Sequence, residues 1–259
     1  LVIIMRRVRV IPVLTLDNEK LVKTVKFKKP NYIGDPINAV KLFNDKEVDE
    51  IVILDISATK EKRIPNYNRI EEIASEAFMP LAYGGGINSF DQITELFKLG
   101  IEKIIVNSAI ENNINLIKQT AERYGSQSVI VSIDIKKPVI GKLSAYKNSG
   151  STKIKTKLLN YITEIEQAGA GEIFLTAIDQ DGTFKGYDLE LIKLISNHCT
   201  IPVVACGGAS DTRNFKSAID AGASAVAAGS LFVYSSSNKG VLINYPNQNI
   251  LKEHLFDKI

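Results

Sequence analysis

A constant offset of 122 residues lays Pro80-Leu-Ala-Tyr-Gly-Gly-Gly86 over Pro202-Val-Val-Ala-Cys-Gly-Gly208. The same offset carries Glu50 to Glu172, Gly100 to Gly222 and Ser108 to Ser230. Each stretch reads as apolar run, glycine turn, helix, apolar run and serine turn, so the chain repeats its own architecture without a gap. A second offset, of 119, lays residues 10–15 over residues 129–134 and puts Thr15 opposite Asp134. Eight short apolar, β-branched runs occupy residues 10–14, 51–56, 80–83, 103–107, 129–134, 173–177, 202–206 and 225–228. Polar-faced helical stretches separate them; in one, Ile93, Leu96 and Phe97 share a face. Eight strand–helix units close into one α/β barrel, a (βα)₈ or TIM barrel of two half-barrel repeats. The 1–259 span reads as that single domain. The Ser-, Lys- and Thr-rich residues 147–157 read as an exposed loop leading into a helix.

Composition agrees with that architecture and excludes several functions. At 259 residues and 45% hydrophobic, the chain can bury the core of one barrel. A net charge of +3, from 32 basic and 29 acidic residues, makes no field that would favour nucleic acid or a membrane surface. No apolar run reaches the length of a membrane span. Leu1-Val2-Ile3-Ile4 before Met5 is too short for a signal-peptide core and reads as an upstream extension, so the expected compartment is the cytoplasm. Cys199 and Cys206 have no metal-type spacing and read as two buried thiols. Neither a metal nor a cofactor is expected.

Chemistry is expected at the carboxyl ends of the strands. Gly84, Gly85 and Gly86 follow the third run, Asn107 and Ser108 the fourth, Gly207 and Gly208 the seventh, Gly229 and Ser230 the eighth. Glycine turns let backbone amides approach an anion, a helix starting just afterwards adds its positive end, and a hydroxyl completes a phosphate cup. The repeat places two such cups across one mouth, so the expected ligand is a small molecule with two phosphates. Glycines that merely make tight turns are the plainer alternative for either cup alone. The only histidines, His198 and His254, lie away from strand ends, which argues against a histidine base. The strand-end carboxylates are Asp55, Asp134 and Asp181. Asp134 ends the fifth run, and Asp181 lies with Gly182 in a loop after the sixth that could close over a ligand. Asp55 serves chemistry or simply orients backbone amides.

At the opposite end, Arg9, Glu50, Lys103 and Glu172 each stand where a strand begins. Inward charges there must pair or cost several kcal/mol, and two cations with two anions can form a ring. A structural plug is the default reading of that face.

Together these residues resemble the cyclase subunit of imidazole glycerol phosphate synthase, the HisF family, along essentially the whole chain. Gly34-Asp35-Pro36, Leu54-Asp55-Ile56, Gly84-Gly85-Gly86-Ile87, Val106-Asn107-Ser108-Ala109, Ser132-Ile133-Asp134, Asp181-Gly182-Thr183 and Ala205-Cys206-Gly207-Gly208-Ala209 carry the likeness. The resemblance implies a HisH-like glutaminase docked on the amino-terminal face, and ammonia passing through the barrel to a phosphorylated substrate. It turns the four charges into an ammonia gate, and makes Asp134 and Lys23 catalytic. It implies phosphate binding at Gly85, Gly86, Asn107, Ser108, Asp181, Gly182, Gly208, Gly229 and Ser230, and substrate orientation by Asp55 and Thr176. One position departs: the family's first catalytic aspartate falls on Thr15, which cannot act as a carboxylate. Losing such a group costs ~10²–10⁴-fold in rate.

Residues 21–28, 32–40 and 241–246 resemble most closely the paralogues that accompany amidation of bacterial surface polysaccharides. There the barrel and its glutaminase supply ammonia to a separate ATP-dependent sugar amidotransferase. Three readings follow: ammonia supply for sugar amidation; a histidine-pathway cyclase making imidazole glycerol phosphate and AICAR; and a non-catalytic metabolite-binding activator of the glutaminase.

Overall fold

The computed structural model describes residues 8–138, 141–236 and 240–259; the opening Leu1-Val2-Ile3-Ile4 lies outside them. Strands run in chain order as β1 (Arg9–Asp17), β2 (Lys20–Val25), β3 (Lys28–Gly34), β4 (Ile51–Asp55), β5 (Leu81–Gly84) and β6 (Lys103–Val106). They continue as β7 (Val129–Lys136), β8 (Ser144–Lys147), β9 (Thr152–Lys153), β10 (Glu172–Ala177), β11 (Val203–Cys206) and β12 (Ala225–Ala228). β1, β4, β5, β6, β7, β10, β11 and β12 pair in that order, all parallel, and β12 returns to β1 with Arg9 opposite Ala225. The expected eight-stranded barrel is therefore closed, with helices between successive strands.

Strand alternation divides the apolar residues into two concentric cores. Ile11, Val13, Val52, Ala82, Ile105, Ile130, Phe174 and Val204 fill the barrel interior. Their strand neighbours Val10, Leu14, Ile51, Ile53, Leu81, Ile104, Val131 and Ile173 face outward and pack with helix residues such as Ile93 and Leu96. Local chemistry fixes the helix starts. Ser89 forms a capping box with Gln92 over Phe90–Lys98, and Asp35 accepts from Ile37 and Asn38 amides ahead of Pro36. Among the described residues, no helix is long and apolar enough to cross a membrane.

Three expectations need correcting. Residues 147–157 are not a plain loop: β8 and β9 form a hairpin on β7, pairing Tyr146 with Lys153, before the helix Leu158–Gln167. Its turn, Asn148-Ser149-Gly150, adopts positive φ throughout, which Asn and Gly accept readily. Cys206 is buried, but Cys199 is only half-buried, its thiol donating to the Ile195 carbonyl at the end of a helix. Only the Gly229 turn runs straight into a helix, Ser230–Val233; the helices after the Gly86 and Gly208 turns begin at Phe90 and Arg213. Those two turns therefore lack an adjoining helix end.

A further hairpin, β2–β3, grows from β1 and stands over the carboxyl ends of the barrel strands. Its two-residue turn is Lys26-Phe27, with φ of 52° and 60° in place of the glycine such a turn favours. Tertiary contacts hold it: the Lys26 amide donates to the Asp181 carbonyl at 2.9 Å, and Phe27 lies against Gly150 in the other hairpin.

Candidate active site at the barrel mouth

The strands open at their carboxyl ends into a cavity of about 400 Å³. Gly84, Gly85, Gly86, Asn107 and Ser108 line one side, with Thr15, Lys23, Asp55, Asp134, Thr176, Asp181 and Gly229 around the rest. Residues separated by up to 216 positions in the chain, from Val13 to Gly229, thus share one hollow, as strand-end placement requires.

β7 puts Ser132 and Asp134 on one inward face. Ser132 Oγ donates to Asp134 Oδ1 at 3.1 Å, and Asn107 Nδ2 donates to Oδ2 at 3.3 Å. Burial pushes the Asp134 carboxyl up to about 7 against the Ser132 hydrogen bond, and the negative charge of Asp181 pushes the same way. A carboxyl poised there can give or take a proton near neutrality. Ser132 had no assigned role in the sequence; its signal is the two-residue spacing, which on a strand means the same face.

Thr15 faces Asp134 from β1 but is engaged elsewhere. Its Oγ1 donates to the carbonyl of Val22, its antiparallel partner in β2. Lys23 is buried, and Nζ donates to Asp181 Oδ1 at 2.9 Å, to Oδ2 at 3.1 Å and to the Thr24 carbonyl at 2.9 Å. Asp55 spends Oδ1 on the Ser57 amide, the Ser57 hydroxyl and the Ala58 amide, at 2.9–3.1 Å, and Oδ2 faces Arg63. These bonds organise its own loop. Burial pushes the Cys206 thiol, beside Thr176, up to about 12, so it stays protonated.

The glycine turns have a packing demand of their own. A Cβ on Gly85 would lie 2.5 Å from the Asp55 carbonyl oxygen, at a φ of +128°. The two cups also differ. On the near side Ser108 Oγ accepts from the Asn148 amide at 3.0 Å, tying the cup to the β8–β9 hairpin. On the far side Asp181 and Gly229 line the cavity, whereas Gly182, Gly208 and Ser230 do not. The loop after β10, which carries Gly182, is tied to the β11 turn by the Gly186 amide, which donates to the Gly208 carbonyl at 2.8 Å. Ser230 Oγ is buried without a hydrogen-bond partner.

The opposite end carries the four charges as a closed ring. Arg9 bonds both Glu50 and Glu172; Lys103 Nζ bonds Glu50 Oε2 at 2.6 Å and stands 4.0 Å from Glu172 Oε2. Burial alone would lower the Arg9 guanidinium, but Glu172 and Glu50 hold it above its ordinary value. Burial raises the Glu172 carboxyl despite Arg9. Glu50 Oε1 is buried and unpartnered. His198 and His254 bond Thr163 and Thr212, outside the mouth cavity. Among the described residues, no group of three or more His, Cys, Asp or Glu side chains could hold a metal ion.

A family model described as histidine biosynthesis protein matches residues 9–238. A Leptospira borgpetersenii protein with the provisional name imidazole glycerol phosphate synthase subunit HisF is 48% identical over 254 residues, 97% of this chain and 100% of that protein. The Pseudomonas aeruginosa protein provisionally named imidazole glycerol phosphate synthase subunit hisF2 is 46% identical over 248 residues, 95% and 99% of the two chains. The imidazole glycerol phosphate synthase subunit HisF of Petrotoga mobilis is 40% identical over 227 residues, 87% and 90% of the two.

Proposed function

This chain belongs to the histidine biosynthesis protein family as a HisF-type barrel, and on that premise we propose that it supplies ammonia for amidation of a surface-polysaccharide sugar. It is the synthase-type subunit of a glutamine amidotransferase complex. A glutaminase docks on the amino-terminal face, and a separate ATP-dependent amidotransferase uses the ammonia. The mouth binds a phosphorylated small molecule.

The observation that carries this reading is the state of Thr15. Its hydroxyl is bound to the Val22 carbonyl, so the side chain at this position cannot relay a proton where the family has a carboxylate. Asp134 remains, and one carboxyl of pKa about 7 serves one side of a bound substrate only. The ring supports the conducting role. Above it the inner core is apolar, built from residues such as Ala82, Ala225 and Ile105. Such a lining admits uncharged ammonia at little cost and opposes an ammonium ion, whose desolvation there goes unpaid.

A histidine-pathway cyclase is the second reading, favoured by the tuned Asp134 with its Ser132 and Asn107 donors. An ammonia-driven cyclase assay with the family's bisphosphate substrate, run beside the Petrotoga mobilis subunit, separates the two. Turnover ~10²-fold or more below that relative is expected from the loss of one acid–base group. Equal turnover rejects the amidation reading.

A further inference from the structure

We propose that Asp181 is a positioning residue that holds the Lys23 ammonium in reserve beside the β12 turn and releases it to the phosphate of an incoming ligand. This rests on the reading of the mouth as a phosphate site. All three Lys23 donors are in use, two on Asp181 and one on the Thr24 carbonyl. The Lys23 stem lies on Gly229, where an added Cβ would meet Cε at 2.9 Å. The next residue, Ser230, has a buried hydroxyl without a partner. A cation and an orphan hydroxyl thus flank one glycine turn, and among the described residues the carboxylate on that cation is Asp181.

Phosphate carries more charge than a carboxylate and three acceptor oxygens, so it competes for the same ammonium. The hairpin need not detach when the side chain changes partner. The Lys26 amide donates to the Asp181 backbone carbonyl, a bond independent of the carboxylate. Asp181, once relieved of Lys23, keeps the Thr24 hydroxyl at 3.4 Å and leaves a negative charge near Asp134 without its cation. That charge already favours the protonated form of Asp134, so ligand entry would load the acid with its proton.

Inorganic phosphate binding, measured by calorimetry on the full chain, tests the hand-over. Asp181→Asn removes the competitor and should bind about tenfold tighter, equivalent to about 1.4 kcal/mol. Adding Lys23→Met should abolish the gain. Unchanged or weaker binding by folded Asp181→Asn overturns the hand-over alone, because the wild type still binds. No binding by any variant or the wild type overturns the phosphate mouth and the hand-over together. Should Asp181→Asn fail to fold, the wild-type Lys23 Nζ nitrogen resonance, assigned with Lys23→Arg, must shift on phosphate addition; a fixed resonance in the bound state overturns the proposal.

Discussion

Asp134→Asn should make the protein more resistant to alkaline destabilisation while ending proton transfer at the mouth. In the unfolded chain this carboxyl titrates near 3.8; in the barrel it titrates at about 7. Below pH about 4 both states hold the proton and the group costs nothing. As pH rises from about 4 to about 7 the unfolded chain releases its proton and the folded chain does not, so stability falls. The difference is about three pK units, or about 4 kcal/mol once Asp134 is ionised in the folded protein. An asparagine keeps the shape and can still meet Ser132 and Asn107, but carries no charge to desolvate. Whatever the amide itself costs is independent of pH, so the gap between variant and wild type should widen by about 4 kcal/mol between pH 4 and pH 8. For a chain of this size that corresponds to roughly 8–16 °C in Tm. Calorimetric melts of both proteins across that range provide the measurement. Parallel curves would show that Asp134 is not desolvated, and would remove the argument for a neutral-pH proton carrier.

Three other perturbations address separate parts of the molecule. Thr15→Asp should raise ammonia-driven cyclase turnover ~10²-fold; no gain in a variant that binds the bisphosphate substrate would show divergence beyond this position. Lys103→Ala removes the ring member held by one short bond, and should change glutamine-driven product formation by the assembled complex more than ammonium-driven formation. Equal effects, with partner binding intact, would make the ring structural. Gly85→Ala should cost about 2–4 kcal/mol in urea denaturation, from positive φ and the contact with the Asp55 carbonyl; an unchanged midpoint would mean that the turn relaxes.

The barrel was legible because each of its strands is a short apolar run between turn-forming residues, and because the offset repeats turns as well as strands. The hairpins were not. β2 and β3 are rich in lysine, and their turn, Lys26-Phe27, lacks the Asn or Gly that marks such turns; contacts with Asp181 and Gly150 hold it instead. β8 and β9 are short and polar, so they look like loop until they pair with β7. Arg9, Glu50, Lys103 and Glu172 could be placed at one end from their strand positions alone. The pairing of Lys23 with Asp181 could not, because it joins the β2 strand to the loop after β10, which share no repeat or motif.

The seam between β12 and β1 also bears on how the chain is made. β1 meets β4 early in synthesis, but its other edge waits for residues 225–228. Tyr245 Oη then donates to the Val10 carbonyl, a bond spanning 235 residues. During elongation the first strand therefore keeps one row of backbone donors and acceptors open, a template for pairing with another chain. Closure pairs residues 216 apart, so its loop entropy is met only when nearly the whole chain has emerged. A nascent chain stalled before β12 would hold seven of the eight barrel strands and an unsealed edge, leaving it the species most exposed to aggregation.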